Sequence, residues 1–247
     1  MLLLDLGNSA IKAQWWRENE LQNSFSCRFR TGWLPRFEAY LKHIEAGHCY
    51  YSSVLGEQAE AEFIASLGQV FDAGKIEKLA ALKLSHGVRN AYPVATGLGV
   101  DRWLCLLGAA ARVKQDVVII DAGSAITIDL LRADGQHLGG AILPGFNTSL
   151  ARFKAIMRTA DFDHPDIAKT DEPGCSTEAC INIDYLPTDV EIVRQLVDRW
   201  FGRLAADAVL IVSGGDAGLI HRHEGHRHLI VPDLVFHGMR RQLGSQQ

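Results

Sequence analysis

The sequence predicts an α/β fold built as two related halves with a cleft between them. Three observations predict it. Apolar, strand-like runs alternate with segments of helical spacing, the pattern of sheets flanked by helices. A short motif, an apolar run ending in Asp-x-Gly and a small polar residue, occurs twice, as "LLLDLGNSAIKAQWW" from Leu2 and "VVIIDAGSAITIDLL" from Val117. Aligning Asp5 with Asp121 and Gly7 with Gly123 separates the copies by 116 residues, about half of the 247-residue chain. A repeat at half-chain spacing implies a duplicated architecture. Halves 1–115 and 116–247 follow from that repeat alone, because no Pro- or Ser-rich linker marks a boundary.

The elements follow in order. Each copy of the motif reads as a hairpin, with Asp closing the first strand, Gly in the turn and alternating or β-branched positions in the second strand. "RFEAYLKHIEAG" has helical spacing with Gly47 as its stop, "CYYSSVL" reads as a strand, and "EQAEAEFIASLG" as a second helix. "VDRWLCLLGAAARVKQ" is a third helix that leads into the second copy. "STEACINIDYLPTDVEIVRQLVDRWFGRL" is helical in pattern, with Pro187 expected to interrupt it. "AVLIVSGGDAGLI" is a strand, a Gly-Gly turn and a helix start.

Composition excludes several classes. Hydrophobic residues make up 47% and charged residues 22%, as in ordinary globular proteins. A net charge of −4 without a basic run argues against nucleic acid as a partner. No apolar stretch reaches the roughly 18 residues of a membrane span. Asp5 interrupts the first apolar run and no basic segment precedes it, so neither a membrane partner nor a signal peptide is expected. Five cysteines without CxxC spacing fit reduced thiols and a cytoplasmic location.

The two turns carry the chemistry. Backbone N–H groups of such a turn form a concavity suited to phosphate oxygens, and Asn8, Ser9 and Ser124 can add donors. A carboxylate repels phosphate, so Asp5 and Asp121 need a cation between themselves and the anion. Lys12 can neutralise further charge. Either turn alone also reads as a plain hairpin. There is no GxxxxGK[ST], which excludes a P-loop, and no GxGxxG following a strand, so nothing supports a dinucleotide Rossmann site. In "TGLGVDRWLCLL", Asp101 reads either as a helix cap or as a base, with Arg102 as a planar clamp for an anionic substrate. "HRHEGHRH" (His221 to His228) reads as a solvated polar loop in preference to a metal site.

Five segments in this order resemble the type III pantothenate kinase family of the actin-like, sugar-kinase and Hsp70 superfamily. They are "DLGNSAIK", "GVDR", "DAGSAIT", "GGAILPGFNTSL" and "SGGDA". The resemblance covers nearly the whole chain. It implies two ribonuclease-H-like halves that hold ATP, and ATP-dependent phosphorylation of pantothenate, the first step of coenzyme A synthesis. By motif position Asp101 is the general base. Asp5, Leu6, Gly7, Asn8, Ser9, Ala10, Ile11, Lys12 and Ser124 contact ATP, with Asp5 also beside Mg²⁺. Asp121 binds a monovalent cation, potassium or ammonium. Tyr92, Gly99, Val100, Asp101, Arg102 and Thr177 contact pantothenate, in a pocket completed across a homodimer. Ser124 stands where the family usually has Thr, and "NIDYLP" after Thr177 lacks the family's glycine. Another small-molecule kinase of the same fold, or a nucleotide-binding accessory regulator of transcription, are the alternatives to this reading.

Overall fold

Leucine packed on leucine begins the fold. In a computed structural model of the chain, which describes residues 1–29, 32–156, 173, 175–176, 185–220 and 226–244, Leu2–Leu6 forms β1 with all four leucines fully buried. β2 (Ala10–Arg17) and β3 (Glu20–Arg28) follow antiparallel, while β4 (Cys49–Ser53) and β5 (Ile76–Lys78) add in parallel on the other side, giving the order β3-β2-β1-β4-β5. Because side chains alternate along a strand, Leu2, Leu4 and Leu6 share one face. That face packs against Phe37 of α1 (Trp33–Leu41) and Phe63 of α2 (Glu57–Leu67). Leu3 and Asp5 lie on the opposite face.

A small hairpin of β6 (Leu84–Ser85) and β7 (Val88–Arg89) precedes α3 (Val100–Arg112). The second sheet is built from β8 (Val117–Ala122), β9 (Ala125–Leu131), β10 (His137–Pro144), β11 (Val209–Ser213) and β12 (His228–Ile230), in the order β10-β9-β8-β11-β12. This is the arrangement of the first sheet repeated: an antiparallel hairpin on one side, parallel strands on the other. Val118, Ile120 and Ala122 share a core with Phe146 of α4 (Phe146–Ile156), Val193 and Val197 of α5 (Tyr185–Phe201), and Ala217 and Ile220 of α6 (Ala217–Ile220). Asp121, like Asp5, falls on the face away from that core.

The chain divides into two compact units. The first comprises Met1–Lys114, Asp134–Leu138 and Asp233–Gln247, and the second Gln115–Ala133 and Gly139–Pro232. The last helix, α7 (Leu234–Leu243), groups with the first unit although the sequence repeat assigns it to the half 116–247. Two glycines explain its place. A Cβ at Gly238 would run into the Leu104 backbone, and one at Gly108 would lie 2.5 Å from the Leu234 carbonyl oxygen, so α3 and α7 meet at backbone contact.

Two boundaries differ from expectation. α1 ends at Leu41, well before Gly47, as Lys42, His43 and Ile44 tighten the chain with N–H donors to Glu38, Tyr40 and Leu41. Pro187 does not break α5. It lies in that helix's first turn, where a missing N–H leaves no bond unmade. Residues 177–184 of the same expected segment lie outside the described residues. Among the described residues no helix is long and apolar enough to cross a membrane.

Candidate functional site

In the first unit, β1 pairs with β2 so that Asp5 faces Lys12 and Leu6 faces Ile11. Gly7 N–H closes the turn on the Ala10 carbonyl at 3.1 Å, leaving Asn8 and Ser9 exposed at the tip. Neither a positive φ nor crowding demands glycine here. Gly7 is absent from the positive-φ positions, and a Cβ would meet only Ala10 O at 3.4 Å, an ordinary contact. The turn is therefore open on the side where a side chain would stand.

The parallel neighbour supplies a partner that sequence reading missed. Ser52 of β4, fully buried, lies opposite Asp5 and donates its hydroxyl to Oδ1 at 2.9 Å. Nothing in "CYYSSVL" marks this serine, because the register of a parallel pair is not written in either strand. Burial pushes the Asp5 carboxyl above the ordinary carboxylate range, against the pull of the Lys12 charge and the Ser52 hydrogen bond. The carboxylate of Asp101 adds to the rise, so two motifs far apart in sequence meet electrostatically at the end of β1.

Asp101 is not the helix cap. Gly99 occupies that position with no side-chain cap bond, and Asp101 stands inside the first turn of α3. Its Oδ1 accepts the Arg102 backbone N–H at 2.8 Å, and a Cβ on Gly99 would come within 2.5 Å of that oxygen. The glycine of G-x-D-R thus makes room for the aspartate. Val100 and Arg102 are buried, and the Arg102 guanidinium donates from Nη1 to the Tyr92 hydroxyl at 3.1 Å, its central carbon 5.8 Å from the ring centroid.

In the second unit three motifs converge. Asp121 faces Thr127 on β9 and Ser213 on β11. Gly123 N–H closes the turn on Ala125 O at 3.0 Å, and here too a Cβ would have room, with its nearest neighbour at 3.9 Å. The carbonyl of Ser124 accepts from Gly145 N–H at 3.1 Å and from the Thr148 hydroxyl at 2.7 Å, which ties the turn to the start of α4. Ala122 O accepts Asp216 N–H at 3.0 Å, and Asn147 donates to Asp216 at 3.3 Å. Gly145 and Gly214 differ from the turn glycines. A side chain at Gly145 would strike Gly123 O, and one at Gly214 (φ 92°) would strike the Ala122 backbone.

The described residues contain no group of three His, Cys, Asp or Glu side chains placed to hold a metal ion. The register sets Thr127 and Ser213 beside Asp121, residues whose oxygens are hard donors of the kind an alkali or alkaline-earth ion takes, and the Ser213 hydroxyl donates to the Pro232 carbonyl at 3.3 Å. Thr177 and His221–Glu224 lie outside the described residues. Of the histidine run, His226 stacks on Phe201 with centroids 3.8 Å apart and pairs with Asp198 at 2.9 Å.

Comparison with known proteins identifies the family. The family model for type III pantothenate kinase matches residues 1–199. A type III pantothenate kinase of Pseudomonas aeruginosa (strain LESB58) is 32% identical over 249 residues, covering 97% of each chain. Among solved structures, a Campylobacter jejuni chain assigned to the Baf family of transcriptional activators aligns with a TM-score of 0.60 and 22% identity, covering 100% of this chain and 98% of that one. The activator of 2-hydroxyisocaproyl-CoA dehydratase from Clostridium difficile, with ADPNP bound, aligns at a TM-score of 0.53 and 12% identity, covering 98% and 92%. The two structures share the fold, that of the actin-like ATPases and sugar kinases, and a match over most of the chain together with a relative at this identity decides the rest: the chain belongs to the type III pantothenate kinase family.

Proposed function

We propose that this chain transfers the γ-phosphoryl group of ATP to the primary hydroxyl of pantothenate, the first step of coenzyme A synthesis. The observation that carries the reading is the hairpin that sets Asp5 opposite Lys12 beside a turn left open at Gly7, in a chain of the type III pantothenate kinase family. Asp5 through Lys12 and Ser124 contact ATP. The open side of Gly7 and of Gly123 admits phosphate oxygens to the turn N–H groups. Asp5 would face Mg²⁺ delivered with ATP, and that ion would supply charge to offset the phosphates. Asp121 binds potassium or ammonium.

Phosphoryl transfer passes through a loose transition state, so positioning and electrostatics dominate and the proton leaves late. Asp101 accepts the proton of the attacking hydroxyl as the bond to phosphorus forms. Arg102, held by the Tyr92 hydroxyl and over its ring, offers its guanidinium to the pantothenate carboxylate. Tyr92, Gly99, Val100 and Thr177 contact pantothenate in the same pocket, which is completed across a homodimer. The chain works in the cytoplasm, where ATP is supplied, without nucleic-acid or membrane partners.

The test is a coupled ADP-release assay. Release that needs both pantothenate and potassium or ammonium is expected, and Arg102→Lys should raise the pantothenate KM far more than the ATP KM. ADP release with a sugar in place of pantothenate would make it another small-molecule kinase. ATP binding with no acceptor-dependent release would make it a nucleotide-binding regulator.

A further inference from the structure

The Tyr92 loop is held in an unusual way. Asn90, 2% exposed, spends its whole side chain on local backbone: Nδ2 donates to Leu82 O at 3.3 Å and to Ala95 O at 3.1 Å, and Oδ1 accepts Tyr92 N–H at 2.9 Å. Lys83 Nζ donates to the carbonyls of Asn90 and Tyr92 at 3.1 and 2.7 Å. These bonds fix the backbone that carries Tyr92 and leave its ring to be placed by something else.

That something comes from a turn forty residues further on. The turn after β9 and the first two residues of β10, Asp134–Leu138, group with the first unit. Gly135 (φ 83°) lies in backbone contact with Gly87, its carbonyl accepts Arg89 N–H at 2.8 Å, and the Arg89 guanidinium donates to Gln136 Oε1 and to Asp134 O at 3.1 and 3.2 Å. The docked turn delivers His137, fully buried, beneath the Tyr92 loop. Its Nδ1 accepts the Ala91 N–H at 3.4 Å, and its ring lies parallel to that of Tyr92, 6° apart in plane with centroids 6.4 Å apart. Arg102 meets Tyr92 at the hydroxyl and over the ring. His137, Tyr92 and Arg102 therefore form a chain of contacts from a buried anchor to the acceptor-side cation.

We propose that His137 is a positioning residue for acceptor recognition, setting the plane of Tyr92 and through it the direction in which Arg102 presents its guanidinium. The inference rests on the reading of Tyr92 and Arg102 as the pantothenate contact. The imidazole accepts through Nδ1 and lies parallel to the Tyr92 ring, so its contribution is geometric, by an acceptor and a flat face. Those two properties are separable. His137→Asn keeps an acceptor at the Nδ1 position and loses the ring, and His137→Phe keeps the ring and loses the acceptor.

Steady-state kinetics on the purified full chain, against ATP and pantothenate in turn, tests it beside Arg102→Lys. His137→Ala should raise the pantothenate KM about tenfold with kcat and the ATP KM within about twofold, the pattern of lost ground-state binding. The Asn and Phe variants should each recover part of that loss. A merely structural histidine would lower all three parameters' quality together, through less folded protein, and neither partial variant would rescue the pantothenate KM selectively; that pattern overturns the proposal. If His137→Ala yields no folded protein, the selective rise is read from the Asn and Phe variants, whose unchanged pantothenate KM would equally overturn it. When Arg102→Lys shifts the pantothenate KM and the His137 variants do not, the positioning role alone fails. When Arg102→Lys also leaves it unchanged, the assignment of the pocket falls first.

Discussion

The two Asp-Gly turns have the same topology and different electrostatics. Both aspartates end the central strand of a sheet, lie on the face away from the unit's shared core, and face a serine on the parallel neighbour, Ser52 for Asp5 and Ser213 for Asp121. Across the hairpin they diverge. Asp5 faces Lys12, a built-in cation, while Asp121 faces Thr127. The first turn is also one residue longer. Gly7 closes on Ala10 around Asn8 and Ser9, whereas Gly123 closes on Ala125 around Ser124 alone. Lys12 is therefore the structural counterpart of Thr127, although gapless alignment of the two motifs pairs it with Ile128. A duplicated fold has kept its carboxylate twice and its lysine once, and the half without the lysine is the half for which a diffusible monovalent cation is proposed.

Activity gives the widest separation between the turns. Asp5→Asn should lower kcat/KM for ATP by about a thousandfold, the scale expected when a charged group that orders a phosphoryl donor is lost, and added potassium should not restore it. Asp121→Asn should cost less and should also flatten the response to potassium. Equal losses, both blind to potassium, would break the contrast. The measurement is the coupled assay across a potassium titration.

Exchanging the two cross-strand residues sharpens the point. Lys12→Thr should raise the ATP KM about tenfold, as expected for losing one charge-assisted contact to a phosphate. Thr127→Lys places an ammonium where the cation is proposed to sit, and should leave a weaker enzyme whose residual rate no longer depends on potassium. A Thr127→Lys variant that still needs potassium would locate the cation elsewhere.

The glycines divide along another line. Gly7 and Gly123 stand where the chain has room for a methyl, so alanine there should unfold within about 1 kcal/mol of wild type while weakening ATP binding. Gly145 and Gly214 stand against backbone, and alanine at either should cost about 3 kcal/mol or more in denaturant unfolding. Wild-type ATP binding in Gly7→Ala would remove the argument that the open side of the turn is there for phosphate.

This division bears on what the sequence could say. The strands β1, β2, β8 and β9 were legible because their apolar runs and the repeated motif are local signals. β3 carries "ELQNSFSCR", exposed along most of its length as an edge strand, and no apolar pattern announces it. α7 is amphipathic, yet its membership in the first unit depends on Gly108 and Gly238, which look like helix-weakening residues until their contacts are known. In the candidate site, the motif positions were readable as residues standing in a family order. Ser52, Asn90 and His137 were not, since each acts through a register or a loop packing that joins segments distant in the chain. The role of Gly99, which clears space for the Asp101 carboxylate, is likewise a tertiary fact.

The smallest expected effect concerns stability. Asp5 is half a functional group and half a burden on the fold: burial raises its pKa more than Lys12 and Ser52 lower it, with Asp101 adding to the rise. A carboxyl whose folded pKa exceeds its unfolded value binds a proton more readily in the native state, so stability falls as pH rises from the ordinary carboxylate range through the raised folded value. Above that value the full cost is present. Asp5→Asn removes the titration and leaves an amide that still accepts from Ser52. Its thermal midpoint should equal or exceed that of wild type at neutral pH, and the gap should close as the pH is lowered into the carboxylate range. The corresponding substitution at Asp121 serves as the comparison, and melting curves of the three proteins across this pH window would decide it: a neutral-pH midpoint for Asp5→Asn below wild type would mean that the Lys12 pair and the Ser52 bond outweigh the burial of the charge.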